Sequence, residues 1–106
     1  MIRQGDLLFI PVTEIPQDAR KLTTAILAEG EATGHHHQLA VADAAEVYAI
    51  EPEWRGNTPE YLRVGPEGVS IVHEEHGPVA LPQGAYKVHR AREYDYLQHV
   101  VRQVRD

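Results

Sequence analysis

Apolar residues fall along the chain in short runs, each closed by turn-forming residues, and this pattern predicts strands more than helices. Residues 6–12 (DLLFIPV) form an apolar run interrupted by Pro11 and followed by Pro16, as expected of a strand entering a loop. Residues 22–29 (LTTAILAE) fit a strand or a helix; Thr23, Thr24 and Ile26 favour a strand, and Gly30 stops either. Residues 35–41 (HHHQLAV) and 46–50 (EVYAI) predict two strands, with residues 42–45 between them as a hairpin turn. Residues 51–59 carry Pro52, Gly56, Asn57 and Pro59 and are expected to be a loop, whose Trp54 closes one end of a small core or acts as a lid. Residues 61–64 and 69–75 flank Gly65-Pro66-Glu67-Gly68, a strong turn signal. Residues 77–84 (GPVALPQG) are expected to be a rigid connection, and residues 85–93 (AYKVHRARE) another strand.

The C-terminal segment has a different period. Tyr94, Leu97, Val100, Val101 and Val104 recur at helical spacing, so residues 95–105 are expected to form a short helix. About seven or eight short strands, with turns every 8–12 residues, predict an all-β fold: a small antiparallel barrel or sandwich. The 106 residues make one such domain, since domains usually run to roughly 100–150 residues.

Charge narrows the partners. Ten Lys and Arg stand against sixteen Asp and Glu, a net of −6, which argues against bulk coating of DNA or RNA. Residues 1–86 hold five basic and thirteen acidic side chains, a net of −8, whereas residues 87–106 are locally basic at +2. The absence of cysteine excludes disulfides, thiolate metal sites and a Cys nucleophile. No run of about 18 apolar residues is present to span a membrane, and Asp6 and Pro11 break up any signal-peptide core near the start. A cytoplasmic location is the expectation.

Histidine is the unusual residue: there are seven, five of them in two short clusters. The first is Gly30-Glu31-Ala32-Thr33-Gly34-His35-His36-His37. On a strand His35 and His37 share a face with Cα atoms about 6.5–7 Å apart, close enough for both rings to reach one ion. Glu31, four residues before His35, is a candidate further ligand or base. The second cluster is His73-Glu74-Glu75-His76, ahead of Gly77-Pro78. Its histidines are three apart and so do not make the zincin helix motif. On a regular strand Glu74 and Glu75 face opposite ways, so only one can serve a site, and both histidines can do so only if the strand bends. Two histidine-rich strand ends in a small barrel are expected to meet at one mouth. His89 and His99 read as surface residues.

Residues 86–94 are the candidate substrate wall. Tyr86, Val88, Arg90, Arg92 and Tyr94 alternate onto one strand face. Arg is shaped to grip phosphate or carboxylate in a fork, and Tyr offers a hydroxyl or a stacking surface. A small anionic substrate or a short RNA segment is the partner this wall would take.

An HxH followed by Pro82, Gly84 and Tyr86 resembles, over about half the chain, the cupins, small β-barrels that hold a metal with histidines. Here four residues separate Gly30 from the histidines where the cupin motif has five, Glu46 falls too late for the carboxylate ligand, and Lys87 occupies the place of the expected second-motif His. Gly30-Glu31, Thr33-Gly34-His35, His37, His73-Glu74-Glu75-His76, Pro78, Leu81-Pro82, Gly84, Tyr86, Val88 and Arg92-Glu93-Tyr94 are more closely similar to a group of small bacterial and phage-borne proteins whose activity is uncharacterised. That resemblance covers most of residues 29–94 and implies no particular reaction.

The leading expectation is a β-barrel that binds a divalent metal (Zn, Fe or Mn) through His35, His37, His73 and His76. It would be a metal-dependent hydrolase of an anionic, phosphate-bearing substrate, with Glu31, Glu74 or Glu75 assisting. The alternative is a metal-independent ribonuclease or phosphodiesterase, in which two histidines act as general base and acid while Arg90, Arg92, Tyr86 and Tyr94 hold the phosphate. An interaction module with histidine-rich edges is the third reading. A homo-oligomer fits any of them.

Overall fold

The computed structural model describes residues 1–29, 35–50 and 59–90. These residues form two antiparallel sheets. The first runs in the order β1 (Ile2–Gln4), β2 (Leu7–Val12), β10 (Gly84–Arg90), β7 (Tyr61–Val64), β6 (Ala45–Ala49) and β3 (Arg20–Leu22). The second runs β4 (Ile26–Glu29), β5 (His36–Leu39), β8 (Val69–Val72) and β9 (Val79–Leu81). The sheets bury their facing sides against each other, so the all-β expectation holds and the arrangement is a two-sheet sandwich.

Period-two alternation explains the core. Leu7, Phe9, Val47, Leu62, Val64, Tyr86 and Val88 come inward from the first sheet, and Leu27, Leu39, Val69, Ile71 and Leu81 from the second. Phe9, Leu62 and Ile71 are fully buried. Residues 22–29, ambiguous between helix and strand, resolve into the end of β3 and β4, which lie in different sheets.

Three expectations about connections are corrected. Residues 42–45 do not close a hairpin: Ala42–Ala44 form a short 3-10 turn that carries the chain from β5 in one sheet to β6 in the other. Turn chemistry specifies a reversal of direction but not the partner strand. Residues 77–84 are more than a connection, since they hold β9, which among the described residues pairs with β8 alone. Pro78 and Pro82 bracket it, and an edge strand tolerates flanking prolines because one side needs no donors. The chain also starts a strand earlier than expected: β1 pairs with β2 across a two-residue turn, Gly5-Asp6. The turn after β7 forms as expected, with the Gly68 amide donating to the Gly65 carbonyl at 3.0 Å. Gly68 has φ +73°, and a Cβ there would come within 2.9 Å of the Leu81 carbonyl oxygen, so both conformation and space require glycine.

No helix among the described residues is long and apolar enough to cross a membrane.

Candidate functional site

Three chain segments converge where β1 of one sheet approaches β8 and β9 of the other. The β1–β2 hairpin supplies Gln4 from β1 and Asp6 from the turn, β5 supplies His36 and His37 with His35 just ahead of it, and the segment after β8 supplies His73 to His76. The two histidine clusters therefore meet. The ring centre of His73 lies 4.4 Å from that of His37, 4.7 Å from that of His76 and 5.7 Å from that of His35. The rings of His37 and His76 are nearly parallel, 6.2 Å apart.

His37 lies at the bottom of this group. Alternation on β5 sends Leu39 and His37 inward together, and His37 is only 1% exposed. A buried imidazole needs partners, and it has one on each side. Its Nδ1 stands 2.9 Å from Gln4 Oε1, and its Nε2 stands 3.5 Å from Asp6 Oδ1. The Gln4 amide cannot be turned round, because its Nε2 donates to the Ile71 and Gly77 carbonyls, both at 2.9 Å. Gln4 Oε1 can then only accept, so the proton of neutral His37 sits on Nδ1 and Nε2 carries a lone pair. Burial first, and the neighbouring His73 next, push the pKa of His37 below its ordinary 6.5, with Asp6 opposing them.

His73 has the opposite tautomer. Its Nδ1 accepts the backbone N–H groups of Glu75 at 3.0 Å and His76 at 3.3 Å, which leaves the proton of the neutral ring on Nε2. This tight turn is the bend that lets both His73 and His76 face one place. His76 packs against Gly5, where a Cβ would lie 2.5 Å from its Nε2.

The glutamates serve the rim. The His36 amide donates to Glu74 Oε2 at 2.8 Å, and this bond lowers the Glu74 pKa. Glu75 Oε1 lies 3.5 Å from His35 Nδ1. Because the chain turns after Val72, both carboxylates reach β5 and its approach, and the opposite-face expectation for a regular strand does not apply.

Arg90 reaches the site from the end of β10, its Nη1 3.0 Å from Asp6 Oδ2. Tyr86 does not reach it: it is buried in the core and its hydroxyl donates to the Pro82 carbonyl at 2.8 Å. His89 stands opposite Leu8 in the ladder between β10 and β2. Glu31, Arg92, Tyr94, Trp54, His99 and the helix expected at 95–105 lie outside the described residues.

Sequence reasoning missed Gln4 and Asp6. The available signal was Gly5-Asp6, a two-residue hairpin loop between Arg3-Gln4 and the apolar run, which would have placed β1 beside β2. Among the described residues, no three His, Asp or Glu side chains already stand as ligands around one point. The pair formed by His37 Nε2 and Asp6 Oδ1 nevertheless has the spacing of two ligands of one ion: at bonds of about 2.0–2.1 Å and a tetrahedral angle, ligand atoms stand roughly 3.4 Å apart.

No curated protein and no solved structure matches the chain. A family model does, over residues 3–91: the domain of unknown function DUF8820, a span that includes Gln4, Asp6, both histidine clusters and Arg90. The chain belongs to the DUF8820 family.

Proposed function

We propose that the protein binds a divalent cation of the Zn, Fe or Mn class through His37 Nε2 and Asp6 Oδ1, with the His76 ring turning in as a third ligand, and that it hydrolyses a small anionic, phosphate-bearing substrate. One observation carries this reading. The lone pair of His37 faces the Asp6 carboxylate at 3.5 Å, an acceptor against an acceptor, and such a contact calls for a positive centre between them. A proton on Nε2 is one candidate, but burial and the adjacent His73 disfavour it. A cation meets the same need without protonating the ring. Three protein ligands leave a position for water, and a bound ion would supply that water with a lowered pKa. In this reading His73, with its proton on Nε2 and its ring only part-buried, would give a proton to a leaving group.

A second reading has its own support. His37 and His73 are opposite tautomers with ring centres 4.4 Å apart, the arrangement of a base beside an acid, which would serve a metal-independent phosphodiesterase or ribonuclease. Elemental analysis of untagged protein, with turnover of phosphodiester and phosphomonoester substrates before and after chelation, separates the two. Metal near one per chain, with chelator-sensitive turnover that metal restores, supports the first. Chelator-insensitive turnover lost in His73→Gln supports the second. Neither metal nor turnover would overturn both.

A further inference from the structure

Gln4 is a buried polar residue, 2% exposed, and its side-chain hydrogen bonds to Ile71, Gly77 and His37 all reach parts of the histidine site. Its amide N–H groups grip the carbonyls of Ile71 and Gly77, which flank the five residues 72–76 that include His73 and His76. Its carbonyl accepts from His37 on β5. It belongs to the first sheet, whereas all three partners belong to the second sheet or the loop leaving it.

We infer that Gln4 is a positioning residue: it locks His37 in the Nδ1–H tautomer and holds the loop bearing His73 and His76 over it. The tautomer has a real competitor. With Nδ1 released, the proton would move to Nε2, where the Asp6 carboxylate is the waiting acceptor at 3.5 Å. Gln4 therefore decides whether Nε2 presents a lone pair or a proton to the site. For its effect on affinity this inference rests on the proposed cation site, since only the lone pair can bind metal. The tautomer itself does not depend on that reading.

The test reads imidazole nitrogens directly, by long-range nitrogen–proton correlation in chelator-treated, isotope-labelled protein near pH 8.5, about two units above the ordinary histidine pKa. The parent is expected to show His37 protonated on Nδ1 and His73 on Nε2. Gln4→Leu is expected to move the His37 proton to Nε2 and to weaken Zn²⁺ binding about 10- to 100-fold, the range for loss of a group that orients a metal ligand. Gln4→Glu separates the two duties. Its carboxylate still accepts from Nδ1, so the tautomer is kept, but it cannot donate to Ile71 and Gly77, so the His73 and His76 resonances shift. A parent with His37 protonated on Nε2 overturns the inference, as does Gln4→Leu with an unchanged tautomer. Unshifted His73 and His76 signals in Gln4→Glu overturn the loop-holding role. Should the leucine variant not fold, the parent and the glutamate variant decide. A parent with the expected tautomer and no affinity for metal sinks the proposed cation site and leaves the role of Gln4 standing.

Discussion

Glu74 accepts the backbone N–H of His36 at 2.8 Å, a side chain from the loop after β8 capping the first residue of β5 across 38 positions of sequence. The bond ties the two histidine clusters together at the rim, as Gln4 does at the base. Both neighbouring glutamates face an imidazole, Glu74 that of His36 at 3.9 Å and Glu75 that of His35 at 3.5 Å, but the bond to the His36 backbone is made by Glu74.

Hydrogen exchange should read that difference. Glu74→Ala is expected to speed exchange of the His36 amide, and Glu75→Ala to leave it as in the parent. Because the bond lowers the Glu74 pKa from the ordinary 4.5, its protection is present above that value and fades as the pH falls below it. Equal protection of His36 in both variants would show that Glu74 does not hold the strand.

Stability should depend on pH through His37. Its pKa is lowered by burial and by His73, so the unfolded chain takes up the proton more readily than the folded one. The protein should be most stable above about pH 6.5 and lose stability as the pH falls below it, by at most about 1.4 kcal/mol per pH unit from this one group. Urea unfolding at several pH values in chelator measures the slope. His37→Gln should be less stable at neutral pH and have a shallower slope; an identical slope would assign the acid sensitivity elsewhere.

Gly5→Ala should damage the site with little change to the fold. The residue has φ +58°, where a side chain costs about 1–2 kcal/mol, and its Cβ would meet the exposed His76 ring at 2.5 Å. The ring can move aside, so the expected result is a modest fall in stability with a more than tenfold loss of Zn²⁺ affinity by calorimetric titration. Gly68→Ala, also at positive φ but facing the Leu81 carbonyl, is the control that loses stability alone. Equal affinities in the two variants would remove His76 from the ligand set.

Tyr86→Phe should cost about 1 kcal/mol of stability, since it leaves the Pro82 carbonyl without its donor. Thermal unfolding measures this. Unchanged stability with an altered KM would instead return Tyr86 to the substrate wall.

The sequence by itself determined the strand-rich class, most of the strand positions and the histidines as the residues to watch. Those properties are local: alternation, β-branched residues and Gly-Pro turns act within a few positions and can be read there. Which strands pair was decided only by the tertiary structure, because a turn such as residues 42–45 reverses the chain equally well within a sheet or between two sheets. The same holds for the chemistry of the site. Histidine spacing raised the prospect that His37 and His73 would meet, but their tautomers follow from partners far away in sequence, Gln4 for one and a tight turn for the other. Gln4 and Asp6 look ordinary in an N-terminal stretch that resembles no motif. They gain their roles because the β1–β2 hairpin sets them against the second sheet, where His37 is buried with Nδ1 against Gln4 and Nε2 against Asp6.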